Sequence, residues 1–245
     1  MKKKGRAMAD NFAYMTEQFE SFGFAFSELQ KRQFYTFYTM LIEKNRVMNL
    51  TAITEFQEVV KKHFLDSLFL NRVVNLEKNL TILDLGTGAG FPGIPLKIAY
   101  PHLSITLMDS LNKKVNFLQE VIRELELSGV DAIHARAEEL AHRKDYREQY
   151  DLCISRAVAN LSTLEEYCLP FIHIGGTFVS YKSGEIKEEI QESKKACYLL
   201  GGKLNQIYPF DLAEHRRSFV IIDKVRNTPK KYPRKAGTPS KMPLV

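Results

Sequence analysis

Apolar residues in the first third of the chain recur at helical spacing. Between residues 28 and 48 they fall three, four and seven positions apart, and the pattern resumes over residues 55–71 after a break at 49–53. This periodicity is typical of amphipathic helices that bury one face. We therefore predict a wholly helical N-terminal extension over residues 11–78.

From residue 81 onward, short β-rich runs alternate with amphipathic stretches. The runs lie at residues 81–85, 104–108, 130–134, 151–155, 177–181, 203–208 and 218–223. Strands that alternate with helices in this way indicate a parallel sheet with right-handed crossovers. The last two runs have no helical segment between them, which predicts an antiparallel edge. The fold class is therefore α/β, with a seven-stranded, mostly parallel sheet in a core over residues 79–224.

Charge is distributed unevenly along the 245 residues, whose net charge is +6. Residues 1–10 hold four cations and one acid, and residues 224–245 hold seven cations and no acid, so the stretch between them is net acidic. This excludes a uniformly basic nucleic-acid-binding coat. We expect residues 1–10 to be disordered or foreign to the native chain. Residues 225–245, which are also rich in proline, should form a basic tail packed on the core.

The cysteine pattern predicts neither disulfides nor a metal site. Cys153, Cys168 and Cys197 form no Cys-x-x-Cys pair, so they are expected to be reduced core residues of a cytoplasmic protein. No apolar run approaches the roughly 18–20 residues of a membrane span. We therefore expect no bound metal, no membrane association and a cytoplasmic location.

A glycine-rich loop follows the first predicted strand, at the position where open α/β sheets bind ligands. Its sequence is Asp84-Leu-Gly86-Thr-Gly88-Ala-Gly90-Phe91-Pro-Gly93. The spacing Gly88-x-Gly90-x-x-Gly93 matches a dinucleotide-binding pattern, and Asp109 lies about 20 residues further on, where a ribose-binding acid is expected. The spacing Asp84-x-Gly86-x-Gly88-x-Gly90 instead resembles motif I of the class I methyltransferases, which use S-adenosyl-L-methionine (SAM).

Electrostatics favour SAM over NAD in this loop. A carboxylate at Asp84 would repel a pyrophosphate, whereas it suits the sulfonium and ammonium groups of SAM. Gly86 also follows the strand closely, as the first glycine of the loop should. Asp109, at the end of the second strand, is a candidate acceptor for ribose hydroxyls with either cofactor. An NAD-dependent oxidoreductase remains the alternative.

Further candidates follow the third and fourth strands. Glu138 lies after the third strand, where contacts to an adenine ring are usual. Arg156 follows the fourth strand, where methyltransferases face their acceptor, and its guanidinium can bind a carboxylate, a phosphate or a guanine edge. His63 and Asp66 share one helix face. They either line the mouth of the pocket or form a helix surface or helix–sheet contact.

Taken together, these residues resemble the bacterial 16S rRNA (guanine-N7) methyltransferase G family, also called glucose-inhibited division protein B. The similarity runs from about Phe12 to the C-terminus. It rests on Asn49-Leu-Thr-Ala-Ile53, His63-x-x-Asp66-Ser67, Asp84–Gly93, Asp109-Ser-Leu-x-Lys113-Lys114, Ala137-Glu138, Ser155-Arg-Ala157 and Lys230-Lys-Tyr-Pro-Arg-Lys-x-Gly237. The Gly-Phe-Pro-Gly extension of the loop, the Ser-Arg-Ala and the Tyr-Pro-Arg-Lys segments are specific to this family. One departure is Lys182-Ser183, where the family has Lys-Gly.

The resemblance implies a Rossmann-like class I SAM-dependent methyltransferase. The methyl group would go to N7 of a single guanine, guanine-527 in customary rRNA numbering, of 16S rRNA or the small ribosomal subunit, leaving S-adenosyl-L-homocysteine. Guanine N7 carries a lone pair and no proton, so we expect no general base and only an orienting role for Arg156. A SAM-dependent methyltransferase of another RNA or of a small molecule remains a further alternative. We expect a monomer.

The resemblance also implies a set of cofactor contacts, and the charge pattern suggests RNA contacts. The implied cofactor contacts are Gly86, Phe91, Ala137, Glu138 and Arg156, to which the loop pattern adds Gly88 and Gly90 and the strand-end argument adds Asp109. The candidate RNA contacts are Lys113, Lys114, Lys230, Lys231, Arg234 and Lys235.

Overall fold

The structure, a computed structural model, describes the backbone of residues 2–157 and 159–245 and the side chains of residues 8–157 and 159–245. Three helices open the chain: α1 (Lys2–Ser21), α2 (Glu28–Met48) and α3 (56–72). α3 is irregular, because a π-helical stretch at Val60–Leu65 and a 3-10 turn at Phe69–Arg72 interrupt its α-helical hydrogen bonding. The helices predicted over 28–48 and 55–71 are thus confirmed.

The start of the chain differs from the prediction. Residues 2–10 belong to α1, whereas we expected residues 1–10 to be disordered or foreign to the native chain, and Met1 lies outside the described residues. Further along α1, Met15 and Phe19 are fully buried and anchor the helix on its neighbours. No proline precedes them, so helical hydrogen bonding can propagate backward from this anchored part.

The remaining elements form one seven-stranded sheet with helices around it. The strands are β1 (Thr81–Leu85), β2 (Ser104–Asp109), β3 (Val130–His134), β4 (Tyr150–Ser155), β5 (Ile172–Ser183), β6 (Gly202–Leu212) and β7 (His215–Lys224). The helices are α4 (Gly93–Ala99), α5 (Asn112–Glu124), α6 (Ala137–Leu140), α7 (Leu161–Cys168), α8 (Lys187–Leu199) and α9 (Thr238–Lys241). α5 ends at Glu124, because Glu126 has a φ of +51°, which an α-helix cannot contain.

The strand order is β3-β2-β1-β4-β5-β7-β6. β1 to β5 pair in parallel, whereas β7 runs antiparallel to both β5 and β6. This confirms the predicted α/β class with an antiparallel edge. The chain leaves β1 for β2 on one side and later returns to β4 on the other. The carboxyl ends of β1 and β4 therefore flank the point where open α/β sheets bind ligands.

The N-terminal helices are fastened to the sheet domain by apolar packing and by hydrogen bonds to helix ends. Gln30 Nε2 of α2 donates to the carbonyls of Ile98 and Ala99 at 2.9 and 3.1 Å, at the end of α4. Gln33 Nε2 donates to the carbonyl of Leu125 at 2.8 Å, just after α5. Carbonyls at a helix C-terminus lack partners within the helix, so α2 satisfies two such ends. This holds α3 beside the carboxyl ends of the central strands.

The segment after β7 lies against the core although only α9 in it is helical. Arg147 Nη2 donates to the carbonyl of Thr228 at 2.7 Å, and Arg147 Nη1 to that of Tyr232 at 3.0 Å. The Tyr232 ring is buried. Within the described part of the chain, no helix is both long and apolar enough to cross a membrane.

Candidate active site

The glycine loop between β1 and α4 adopts a backbone that only glycine tolerates easily. Gly86, Gly88 and Gly90 have φ values of +73°, +62° and +99°. A Cβ on Gly86 would lie 3.1 Å from Ala157 Cβ, and one on Gly90 would lie 2.7 Å from Ile94 Cγ1. The glycines therefore let the loop pass close to the segment after β4 and to α4.

Asp84 accepts hydrogen bonds from the glycine loop and so helps to fix its conformation. Its Oδ2 accepts hydrogen bonds from Thr87 Oγ1 at 2.6 Å and from the Gly93 N–H at 2.8 Å. The side chain is fully buried, and burial raises the pKa of Asp84 to about 7. We expected its charge to face the ligand, but the structure turns the carboxyl toward its own loop. The selection of a cofactor by charge must therefore come from other acids.

A smaller cavity of about 230 Å³ lies at the carboxyl ends of β1, β2 and β3. It is lined by Leu85, Gly86, Met108, Asp109, Ser110, Ala135, Arg136, Ala137, Glu138, Ala157, Ala159, Leu164 and Tyr167. Two carboxylates against one guanidinium make the lining net negative. Four of the expected cofactor residues, Gly86, Asp109, Ala137 and Glu138, therefore lie together, and the arrangement disfavours a pyrophosphate.

The two acids of the smaller cavity are held by backbone donors. Asp109 Oδ2 accepts from the Gly88 N–H at 3.0 Å, and its Oδ1 accepts from the Leu111 N–H at 2.9 Å. Lys114 Nζ lies 3.6 Å from Asp109 Oδ2. Glu138 Oε1 accepts from the Gly237 N–H at 2.9 Å. Each carboxylate oxygen has a second lone pair, so both side chains can still accept a ligand hydroxyl or amine.

A larger cavity of about 580 Å³ adjoins the first and shares Ala157 and Ala159 with it. It is bounded by α3, the segment after β4, β5 and β7. Its charged lining residues are Lys62, Arg156, Lys182 and Arg217 against Asp66 and Glu189. The larger cavity is therefore net positive, the opposite of the smaller one.

Arg156 is held between α3 and the glycine loop. Its Nη1 donates to Asp66 Oδ2 at 3.0 Å, and its Nη2 lies 3.0 Å from His63 Nδ1. The guanidinium stacks 5.1 Å over the Phe91 ring. Sequence left the roles of His63 and Asp66 open; the structure makes them partners of Arg156 that also line the larger cavity.

These contacts define the state of His63. His63 Nδ1 lies 3.0 Å from Arg156 Nη2, which can only donate, and 3.1 Å from the Lys62 carbonyl, which can only accept. The contact with the charged arginine favours an accepting Nδ1, with the proton of the neutral ring on Nε2, 2.8 Å from Thr51 Oγ1. Burial, followed by the charge of Arg156, lowers the pKa of His63 to about 3. His63 is therefore a neutral structural acceptor near pH 7.

Phe91 and Gly90, two of the predicted cofactor residues, are not among the residues that line the two cavities. The Phe91 ring is buried, stacks on His63 at 4.4 Å and packs on Phe37 at 5.3 Å. The ring lines neither cavity and lies in the core beneath the loop, and a cofactor contact at Phe91 stays a prediction. Gly90 likewise faces α4, and Gly88 reaches the smaller cavity only through its bond to Asp109.

The basic candidates separate into exposed and engaged residues. Lys113, Lys230, Lys231 and Lys235 are exposed. Arg234 differs, because its Nε lies 3.0 Å from Glu166 Oε1 and its Nη2 lies 2.7 Å from Glu166 Oε2. Glu166 is fully buried, so Arg234 anchors the C-terminal segment rather than offering a free guanidinium to RNA. No sequence motif singled out Glu166.

The three cysteines lie in the core. Cys153, Cys168 and Cys197 are free and buried. Across residues 2–157 and 159–245, no group of three or more His, Cys, Asp or Glu side chains is placed to hold a metal ion.

Solved structures share the fold at low sequence identity. TrmN from Thermus thermophilus matches with a TM-score of 0.52 and 13% identity, over 68% of this chain and 53% of that chain. M. jannaschii TYW2 in complex with AdoMet matches with a TM-score of 0.54 and 15% identity, over 66% of this chain and 76% of that chain. These likenesses establish the Rossmann-like class I methyltransferase fold.

Relatives in sequence cover nearly the whole chain. A ribosomal RNA small subunit methyltransferase G from Lachnoclostridium phytofermentans is 51% identical over 240 residues, 97% of this chain and 99% of the relative. One from Staphylococcus saprophyticus is 48% identical over 235 residues, 95% of this chain and 98% of the relative. The family model for GidB, rRNA small subunit methyltransferase G, matches residues 30–219. The chain therefore belongs to the GidB family of rRNA small subunit methyltransferases G.

Proposed function

We propose that this protein transfers a methyl group from SAM to N7 of a single guanine of 16S rRNA and releases S-adenosyl-L-homocysteine. The observation that carries the proposal is the pair of adjoining cavities. One is acidic and lies at the glycine loop, the other is basic and lies between α3 and the sheet, and they meet at Ala157 and Ala159. A cationic methyl donor should bind in a cavity with an acidic lining, and an anionic RNA should bind in one with a basic lining.

The smaller cavity fits SAM better than a dinucleotide. Its net negative lining suits SAM, whose sulfonium and ammonium outweigh its single carboxylate and leave it with a net positive charge. We assign the ribose hydroxyls to Asp109 and the adenine to Ala137 and Glu138. The bare backbone at Gly86 lets the cofactor approach the segment after β4. When bound, SAM supplies an electrophilic methyl group.

Methyl transfer to this acceptor needs no positioned base. Guanine N7 presents its lone pair in the plane of the ring and has no proton to remove. The reaction is an in-line displacement, in which alignment alone can lower the barrier by roughly 7–11 kcal/mol. Arg156, fixed by Asp66, His63 and Phe91, is proposed to orient the acceptor.

The proposed substrate is 16S rRNA, free or within the small ribosomal subunit. The relatives are named for ribosomal RNA of the small subunit, and the basic lining of the larger cavity supports an RNA substrate. We place the reaction in the cytoplasm, with the protein acting as a monomer. The exposed Lys113, Lys230, Lys231 and Lys235 are the proposed contacts to RNA phosphates outside the cavity.

The decisive experiment offers methyl-labelled SAM to 16S rRNA and to small subunits isolated from cells that lack this enzyme. We expect one labelled guanine, located by chain cleavage at 7-methylguanine. Asp109→Asn should raise the KM for SAM at least tenfold, whereas Asp131→Asn, which changes an exposed acid on β3, should leave it unchanged. Label at another base atom, in another RNA or in no RNA would refute the proposal.

A further inference from the structure

Asp66 binds two arginines that come from distant parts of the chain. Its Oδ2 accepts from Arg156 Nη1 at 3.0 Å, and its Oδ1 lies 3.3 Å from Arg217 Nε. Only about 3% of the Asp66 side chain is exposed, so water screens these contacts weakly. One carboxylate thus ties α3 to the segment after β4 and to β7. It offsets only one of the two guanidinium charges.

Among the described residues, Arg217 is the cation of the larger cavity with the most unused hydrogen-bond donors. Both terminal nitrogens of Arg156 have protein partners, and Lys62 and Lys182 are paired with Glu58 and Glu189. Arg217 uses Nε toward Asp66, and among the described residues its two terminal nitrogens have no hydrogen-bond acceptor. Its side chain is 27% exposed and lines the larger cavity.

A second unsatisfied group lies beside Arg217. The side-chain oxygen of Ser218 is buried, lines the same cavity and has no hydrogen-bond partner within the described part of the chain. Buried polar atoms are normally paired, so such an oxygen is expected to meet a ligand or an ordered water. The β7 end of the larger cavity therefore presents the terminal nitrogens of Arg217, and the Ser218 hydroxyl is buried beside them.

An oxyanion fits these groups better than a neutral base does. Guanine is neutral, and methylation at N7 makes it positive, so a cation would not stabilise the product base. An arginine fork on the guanine edge would also take N7 together with O6, and N7 must keep its lone pair free for the methyl group. Phosphate, in contrast, matches both the charge and the bidentate geometry of an arginine.

We propose that Arg217 binds the phosphate of the nucleotide that receives the methyl group. Asp66 is then the positioning residue that holds Arg217 and Arg156 at two sides of the pocket for this nucleotide. This inference rests on the proposed function. Arg217 is then a substrate-binding residue that the family motifs discussed above do not include. The cavity volume of about 580 Å³ lies within the usual range of roughly 300–1,000 Å³ for a ligand site.

The test combines Arg217→Gln with 16S rRNA in which one methylphosphonate replaces the phosphate of the target nucleotide. Each change alone should raise the KM for RNA about ten- to a hundredfold, as expected for a lost charge-assisted contact. The KM for SAM should not change. Together the two changes should cost no more than either one, because both remove the same contact. Arg216→Gln, at the exposed neighbour on β7, is the matched control and should behave like the wild type.

The outcomes separate this inference from the proposed function. Suppose that the wild-type protein labels N7 but the increases in the KM for RNA caused by Arg217→Gln and by the methylphosphonate multiply. This result would overturn only the phosphate assignment. The same double test can be made with RNA whose target guanine lacks O6. If Arg217→Gln is non-additive with that change and not with the phosphonate, Arg217 binds the base edge, and the phosphate assignment is again overturned. Failure of the wild-type protein to label N7 would instead defeat the proposed function.

The role of Asp66 is tested through KM and kcat separately. Asp66→Asn should raise the KM for RNA, and adding Arg217→Gln to it should have little further effect. Asp66→Glu should restore part of the loss, since it returns a carboxylate to the arginines. Thermal unfolding of each variant shows whether it is folded, and Arg217→Lys serves as a milder variant. An unchanged KM for RNA in folded Asp66→Asn would contradict the positioning role.

Discussion

Glu165 on α7 is a buried acid outside the proposed site that should govern how stability depends on pH. Neither of its carboxylate oxygens has a hydrogen-bond partner within the described residues. Burial raises the pKa of Glu165 from 4.5 to about 8, although the nearby Ser193 hydroxyl and then the charge of Lys182 oppose the shift. Since the folded state holds this proton more tightly than the unfolded state, its contribution is full below pH 4.5. That contribution is lost as pH rises through 8.

Glu165→Gln removes the titration while keeping the shape of the side chain. Between pH 5 and pH 9, ionisation of Glu165 should lower the unfolding free energy of the wild type by a few kcal/mol, at about 1.4 kcal/mol for each unit of pKa shift. The variant should not suffer this loss. Urea unfolding at the two pH values measures this. Glu192→Gln, at an exposed acid on α8, is the control. Equal pH dependence in wild type and Glu165→Gln would show that Glu165 ionises freely in the fold.

At this same scale, sequence could place the residues at strand ends but could not identify side-chain partners that are remote along the chain. Gly86, Asp109 and Glu138 follow successive parallel strands, whose carboxyl ends must meet at one edge of the sheet. Phe91 and Arg234 were assigned to ligands because their motifs are distinctive. Phe91 stacks on His63, 28 residues earlier in the chain, and Arg234 binds Glu166, 68 residues earlier. A local sequence pattern cannot predict such pairings.

At the scale of elements, the C-terminal segment of residues 225–245 forms part of the support of the proposed cofactor site. Arg234 fastens it to α7, Arg147 holds its first turn, and the Gly237 N–H binds Glu138 of the smaller cavity. Composition identified this segment as a basic, proline-rich tail. It did not reveal that one of the basic side chains is an internal anchor.

Removing that anchor should destabilise the protein and expose the segment. Arg234→Gln leaves the fully buried Glu166 without a cation, which we expect to cost about 3 kcal/mol of unfolding free energy. Trypsin should then cut faster after Lys230 and Lys231, and SAM should bind more weakly because Glu138 loses its support. The charge-matched control Lys235→Gln removes an exposed cation and should change stability by less than about 0.5 kcal/mol. Equal protease resistance in the two variants would contradict the anchoring role.

At the scale of the whole molecule, opposite charges are separated between neighbouring surfaces. The smaller cavity, proposed for the donor, is acidic, and the larger cavity, proposed for the acceptor, is basic. The lysines of the C-terminal segment line neither cavity and are exposed. Net charge alone could not predict this, since it averages a mildly acidic body with basic ends. The fold turns a weak overall excess of positive charge into a local one where RNA is proposed to bind.

This separation predicts how binding of 16S rRNA depends on salt. Lys230, Lys231 and Lys235 are exposed, and each phosphate that a lysine neutralises adds about 0.7–0.9 to the slope of log affinity against log salt. Replacing all three by Gln should lower the slope by about 2–3 and weaken binding at low salt, while SAM affinity stays unchanged. Filter binding across a salt series measures the slope. The charge-matched control replaces the exposed Lys187, Lys194 and Lys203 of α8 and β6. If this control lowers the slope equally, net charge rather than the C-terminal segment attracts the RNA, and the proposed contact surface is wrong.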